Sequence, residues 1–231
     1  RHFTLTAMVT KLVALFVLLV QHGAGAALLS SCSRRVPITG SMLRHHSSMC
    51  TAAAANNKGA LLALCDGAPK NGVGASEELQ AAIEAAIDTL AADTTTKPAR
   101  QPLNGVYDLL YCTSAGGSSG KVGPLVGDVT QSFLDGTTFV NAVSFFGGAL
   151  EIALRARRAI VDDKRIKVTF CETTVRLFGR ALLCRPTQGA GVWVQRYVDD
   201  GLRVMNTPSV FVLRKNAEKS ALLELKRGAT A

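Results

Sequence analysis

The chain has 231 residues, 48% of them hydrophobic and 19% charged, with 21 glycines against seven prolines, a balance that fits one folded domain rich in turns and excludes a disordered chain. The formal charge of +9 would suit a nucleic-acid partner, yet five of the 26 basic residues (Arg1, Lys11, Arg34, Arg35 and Arg44) precede Thr51, and no acidic residue occurs before Asp66. Without those five, 21 basic residues face 17 acidic ones, or +4, and no nucleic-acid partner is expected.

Arg1 is not an initiator, so Met8 is read as the first residue. Lys11 then gives a short positive region, Leu12 to Val20 is an unbroken apolar run of nine, and Ala24-Gly25-Ala26 offers small residues where a signal peptidase cuts. The run is shorter than the ~20 apolar residues a helix needs to cross a bilayer, so no transmembrane span is expected in the mature chain. Ala27 to Lys58 is rich in Ser, Ala and Arg, carries His45-His46 and has no carboxylate, which is a transit-peptide composition. The two parts predict a bipartite leader over residues 1–58, a signal peptide at 8–26 and a transit-like segment at 27–58, of the kind that reaches plastids through the secretory route. The alternative is a secreted protein with a disordered basic stretch.

A helical segment is expected over 59–102. Apolar spacing turns helical at Ala60 to Asp66 and again from Ser76, where Leu79, Ile83, Ile87 and Leu90 recur every three or four residues. Ser76 can cap this helix, and Glu77 and Glu78 suit the positive end of its dipole. It should end near Asp93, because Thr94 to Thr96 are β-branched and Pro98 and Pro102 cannot continue it.

From Leu103 the period becomes two. Strands are expected at 105–114, 128–134, 137–146, 149–160, 165–175, 191–198, 202–206 and 210–214. Asp135-Gly136 between apolar runs is a strong hairpin signal, Asp162-Asp163 marks the next turn, and Asp199-Asp200-Gly201 and Thr207-Pro208-Ser209 separate the last three strands. About eight short strands without intervening helices exclude a parallel α/β sheet. A mainly β fold is predicted: an antiparallel, lipocalin-like barrel over 103–216 of about eight strands, with a lumen for side chains or one small apolar ligand. Residues 217–231 form a C-terminal tail that can close as a short helix.

All four histidines, His2, His22, His45 and His46, fall in the leader. This removes Ser-His-Asp and Cys-His nucleophilic sites and His-bearing zinc sites, and leaves carboxylate, Lys or Tyr chemistry open. Cys65, Cys112, Cys171 and Cys184 show no C-x-x-C spacing; they read as small buried hydrophobes, or as a redox-sensitive pair if two lie on neighbouring strands. No metal, cofactor or catalytic residue is expected. Gly116 to Lys121 has the look of a phosphate loop, but Ala115 stands at the required first Gly, Val122 follows the Lys, and Pro124 interrupts any helix. A flexible strand connection, able to act as a lid near a barrel mouth, explains the stretch.

By face, the residues expected to line the lumen are Leu150, Ile152, Leu154, Ile166, Val168, Phe170, Phe211 and Leu213, with Gln131 and Asn141 as polar groups; the same stripe also reads as plain core. A bulge would shift this assignment. Asp199, Asp200 and Arg203 read either as a hairpin turn whose Arg packs over Tyr107 near the barrel floor, or as a clamp for the head of an amphipathic ligand. Arg155, Arg157, Arg158, Lys164, Arg165 and Lys167 cluster on one predicted hairpin, as solvated edge charges or as a docking face for anionic lipid.

Four stretches resemble the plastid lipid-associated protein, or fibrillin, family: Asn71 to Ser76 with the helix that follows, Leu103-Asn104-Gly105-Val106-Tyr107-Asp108-Leu109-Leu110-Tyr111-Cys112-Thr113-Ser114, Gly127 to Phe145 with Gln131 and Asn141, and Tyr197-Val198-Asp199-Asp200-Gly201-Leu202-Arg203-Val204-Met205 followed by Val210 to Arg214. The likeness runs over roughly residues 60 to 215 in the family's order, with Tyr107 where that family usually has Trp and Asn206 where a second Arg is common. It implies a non-catalytic barrel that binds or shelters an apolar lipid (a carotenoid, a quinone or another prenyl lipid). Its expected place is peripheral, on the thylakoid or on plastid lipid droplets (plastoglobules). It also implies a structural role for Tyr107, Tyr197, Asp199, Asp200 and Arg203 in the closing motif. Two other functions stay open: a barrel enzyme acting on a carotenoid or fatty-acid derivative through carboxylates, and a scaffold subunit of a photosynthetic complex.

Overall fold

The computed structural model describes residues 46–92 and 97–228. The leader expected over 1–58 thus lies outside the described residues as far as residue 45, as do Asp93 and Thr94 to Thr96.

The two-residue alternation after Leu103 becomes eleven strands: β1 (Gly105–Cys112), β2 (Lys121–Val122), β3 (Leu125–Val126), β4 (Asp128–Phe133), β5 (Thr138–Phe145), β6 (Leu150–Ile160), β7 (Arg165–Leu177), β8 (Arg180–Pro186), β9 (Ala190–Val198), β10 (Leu202–Thr207) and β11 (Ser209–Asn216). Eight close into an antiparallel barrel in the order β6-β5-β4-β1-β11-β10-β9-β7, with β7 pairing back onto β6. This is the predicted fold, and the eight expected strands are those eight.

The ninth strand of the sheet, β8, has no counterpart in the sequence reading. It exists because β7 is thirteen residues long and outruns the wall. One edge of β7 pairs with β6 throughout; the other pairs with β9 at Arg165 to Thr169 and with β8 at Glu172 to Leu177. The wall therefore forks. At the change of partner the β6–β7 ladder skips Cys171, a bulge that bends the strand and switches inward positions from even to odd. Ile166, Val168 and Phe170 precede it, so their assigned face is undisturbed.

One end of the barrel, here the floor, carries the β4–β5, β6–β7 and β9–β10 turns and is closed by residues 98–103. Pro98–Arg100 forms a single 3-10 turn, Ala99 and Leu103 are buried among the barrel's aromatic residues, and the Ala99 N–H donates to the Asp163 carbonyl at 3.0 Å. At the opposite end, here the rim, residues 113–127 fold back over the inner wall. Val122 packs with Val143, Phe145, Ile152 and Val175. Asn71 pins this segment by donating from Nδ2 to the carbonyls of Ser119 (2.8 Å) and Gly127 (2.9 Å). The glycine- and serine-rich stretch, expected to be a flexible connection, is thus a seated plug with its own β2–β3 ladder.

Two helices cover one side. α1 (His46–Asp66) and α2 (Glu77–Ala92) bury Leu61, Cys65, Ile83, Ile87 and Leu90 against outward-facing Tyr111, Leu202, Val204, Val210 and Val212. Ser76 caps α2 as its sequence position suggests, its Oγ accepting from the Leu79 N–H at 3.3 Å. Arg196, on a bulge of β9, ties α2 down through Glu84 and Asp88. α1 runs through the expected leader boundary at residue 58, and Lys58 already contacts the barrel, bonding Asp199. The tail closes as α3 (Ala217–Gly228), returning to β1 where the Ser220 hydroxyl accepts from the Val106 N–H at 2.9 Å. Gly105 makes that approach possible: its φ is +80°, and a Cβ there would lie 2.5 Å from Ser220 Oγ.

Candidate functional site: the barrel interior

The inward face is apolar over most of its height. Near the floor Phe133, Phe139, Ala156, Ile166, Val168, Trp193 and Leu213 form one cluster; toward the rim Val143, Phe145, Ile152 and Val175 form another. Strand register places Leu150, Ile152, Leu154, Ile166, Val168, Phe170, Phe211, Leu213, Gln131 and Asn141 all on this face, with Leu150, Phe170 and Asn141 only half-buried.

A polar belt crosses this wall, centred on Arg203, whose side chain is completely buried. Its Nε donates to Gln195 Oε1 at 2.8 Å and its Nη1 to Gln131 Oε1. Asn141 stands directly across the ladder from Gln131. The guanidinium lies over the Phe133 ring, 5.3 Å from its centroid. This corrects the expected stacking on Tyr107, which instead meets Phe133 edge-on at 5.7 Å and 85°. Burial pushes the Arg203 guanidinium down to about 9, and Arg158 nearby adds to the shift, so it stays cationic at neutral pH.

Of the two readings of Asp199, Asp200 and Arg203, the hairpin turn is present, with the Arg over Phe133 in place of Tyr107. Arg203 points into the barrel, while Asp199 organises the β9–β10 turn: Oδ1 accepts from the N–H groups of Gly201 (2.7 Å) and Leu202 (2.6 Å), and Oδ2 accepts from Lys58 (2.7 Å) and the Tyr197 hydroxyl (2.8 Å). Asp200 is exposed. Tyr197 and Asp199 together hold a turn to a helix.

Two inward residues were missed. Gln195 continues the alternation set by Trp193, and Arg158 continues the one set by Leu150, Ile152, Leu154 and Ala156, so both were legible in principle. Arg158, expected among the cations of its hairpin, turns inward, half-buried, its Nε donating to the Gly136 carbonyl at 2.9 Å and its guanidinium 5.9 Å from the Phe133 centroid. Arg165 pairs with Asp162 at 2.6 Å. Arg155, Arg157, Lys164 and Lys167 remain exposed.

The rim has a second unforeseen feature. Phe146 and Phe178 sit at the tips of the β5–β6 and β7–β8 turns, 70% and 78% exposed, with φ of +53° and +49°. The tips adjoin, since the Phe178 N–H donates to the Ala149 carbonyl at 2.7 Å. A left-handed backbone at a bulky residue costs of order 1 kcal/mol or more, and glycine is the ordinary occupant.

Elsewhere the structure offers little reactive chemistry. Burial pushes the Cys65 and Cys112 thiols up to about 12. Cys171 and Cys184 do lie on neighbouring strands, but Thr174, not Cys171, stands opposite Cys184 and all four thiols are free. Among the described residues no three His, Cys, Asp or Glu side chains converge, and no helix is long and apolar enough to cross a membrane. An open groove of about 560 Å³ at the floor is lined by Arg100, Asp162, Asp163 and Arg165, which pair with one another.

A closed eight-stranded barrel, helices on one side and an apolar inner wall are therefore in place when the chain is compared with known proteins. Residues 55–218 match the family model PAP_fibrillin. The chain belongs to this family. No curated protein and no solved structure matches it significantly. PAP_fibrillin proteins are structural, lipid-associated and plastid-associated in general. The matched span takes in α1 from residue 55, the whole barrel and the first residues of α3, so the helical cover belongs to the family unit as much as the sheet does.

Proposed function

We propose that this fibrillin is a non-catalytic protein that rides peripherally on plastid lipid surfaces, thylakoid or plastoglobule, and shelters an apolar prenyl lipid in its barrel. The bipartite leader read from residues 1–58 would deliver it there. The observation that carries the reading is the pair Phe146 and Phe178. Two adjoining phenylalanines are held out into solvent, each on a backbone conformation that favours glycine and costs stability; Phe146 leans on Phe145 with ring centroids 6.4 Å apart yet stays 70% exposed, and Phe178 is 78% exposed. Buried in acyl chains, each would gain roughly 1.5–3 kcal/mol. They stand at the barrel end opposite the closed floor, so adsorption would set the rim against the lipid from which a guest is drawn. Inside, Leu150, Ile152, Leu154, Phe170 and Phe211 would flank that guest, and Gln131 and Asn141 would meet its polar end.

Flotation of the purified chain with galactolipid vesicles and with neutral-lipid droplets tests the reading. The native chain should float with the lipid, and the Phe146→Ser/Phe178→Ser double variant should lose at least about tenfold in affinity. A native chain that stays at the bottom of the gradient, or a double variant that floats as well as it, would overturn the docking. Turnover of a prenyl lipid by the purified chain would favour the enzyme reading instead.

A further inference from the structure

Among the described residues no carboxylate forms an ion pair with the cations of the barrel interior, although Asp135 of the β4–β5 turn acts on Arg158 through space. The strands of the closed wall carry four carboxylates, Asp108, Asp128, Glu151 and Glu172, and every one occupies an outward position of the register. The first three are taken there by Lys219, Lys70 and Arg176. Arg203, with no exposed surface, has only amide oxygens and a phenylalanine ring as partners, and its Nη2 has no acceptor. Arg158 leans on the same ring with Nη1 unpartnered, and Gln195, whose Oε1 is spent on Arg203, leaves its Nε2 unpartnered. Three buried N–H donors from β6, β9 and β10 thus lack acceptors, two on guanidinium groups that face the Phe133 ring and the third on the amide that holds Arg203. An isolated buried cation is costly, and a buried donor without an acceptor costs further.

We infer that the barrel is built for a lipid with an anionic head, a long-chain carboxylate whose oxygens take up Arg203 Nη2, Arg158 Nη1 and Gln195 Nε2. Its chain runs toward the rim along Leu154, Met205 and Phe211. A carboxylate supplies both missing quantities, two acceptor oxygens and one negative charge, whereas the carbonyl of a neutral quinone supplies only an acceptor. A half-turn of the Asn141 amide, whose Oδ1 is also unpartnered, adds a fourth donor. The inference rests on the lipid-sheltering reading above and narrows its guest to an acid.

Trp193 reports on the site from within. It is the chain's only tryptophan, buried against Phe139 (5.7 Å) and Phe170 (6.4 Å). Its fluorescence is titrated in the purified chain with oleate, with methyl oleate and with oleyl alcohol. Oleate should bind at least about tenfold tighter than either neutral analogue. Arg158→Gln, in which only a half-buried side chain changes, should cost oleate about tenfold while leaving methyl oleate unmoved. Arg203→Met should do the same if it folds; if it does not, the acid-to-ester ratio and the Arg158→Gln variant decide. Equal binding of acid and ester, or an Arg158→Gln variant that weakens both alike, would overturn the anionic head while leaving a neutral-lipid barrel standing. Binding of none of the three would overturn the head and the sheltering role together.

Discussion

Lys58 of α1 and Asp199 of the β9–β10 turn, 141 positions apart in sequence, meet in an ion pair of 2.7 Å. Burial would raise the Asp199 carboxyl, but Lys58, the Gly201 and Leu202 N–H groups and the Tyr197 hydroxyl outweigh it and hold it below the ordinary carboxylate range. Both side chains are about 70% buried, so solvent screens the pair only in part. One carboxylate thereby fixes the turn, the floor of the barrel and the helical cover together.

That arrangement gives stability a pH dependence of definite sign. The folded Asp199 carboxyl titrates below its unfolded value of about 3.9, so its contribution is complete above that value and is lost as pH falls through the folded one. Asp199→Asn should lower stability by about 1–2 kcal/mol at neutral pH, and the gap from the native chain should close on acidification. Thermal melts followed by circular dichroism from pH 7 to pH 2.5 measure it; a gap as wide at the acid end as at neutrality would contradict the assignment.

Gly105→Ala should cost about 2 kcal/mol or more, from its positive φ and from the overlap of the new Cβ with Ser220. Ser220→Ala removes the hydroxyl that bonds the Val106 N–H and the Asn216 carbonyl. Urea unfolding of the two single variants and the double should therefore be non-additive, the double less destabilised than the sum, because part of the first cost is the collision with that hydroxyl.

At the rim, stability and adsorption should move in opposite directions. Phe146→Gly and Phe178→Gly each relieve a left-handed backbone and should leave the chain equally stable or about 0.5–1 kcal/mol more stable. The same changes should weaken flotation with lipid. Calorimetry alongside flotation separates the two; a clear fall in melting temperature would mean that the rings support the fold.

Thiol reactivity follows burial. A disulfide reagent should modify Cys184 promptly and Cys171 more slowly, and should reach Cys65 and Cys112 only on unfolding, since both are buried and their thiols pushed up to about 12. Peptide mapping after timed labelling reads this directly. Early modification of Cys112 would mean that the barrel interior opens.

Much of this architecture is written in side-chain period, and the failures mark where period carries no information. On β6 the alternation Leu150, Ile152, Leu154, Ala156 has water on its other side, so both the strand and its inward face could be read. β8 is exposed along its length except at Leu183, which leans on the rim cluster, and Arg-Ala-Leu-Leu-Cys-Arg-Pro accordingly has no alternation to find. β10 fails in the opposite way: Leu202 and Val204 lie under the helices while Arg203 and Met205 face the lumen, so all four are buried and pattern alone cannot tell inside from outside. Which ring meets Arg203 depends on a distance across the barrel, and no spacing along the chain encodes it. Phe146 ends a run, Val143 to Phe146, that reads as strand; only its backbone angle shows that it is a tip.

Among the described residues the fork in β7 leaves β8 as a free margin of the main sheet, and unpaired backbone there invites a second copy of the chain to add on. The strand guards against that with a charge near each end, Arg180 and Arg185, with Pro186, which has no N–H to offer, and with a break in register beside Leu182. On the lipid surface proposed for it, the chain would thus sit beside its neighbours without zipping them into fibres.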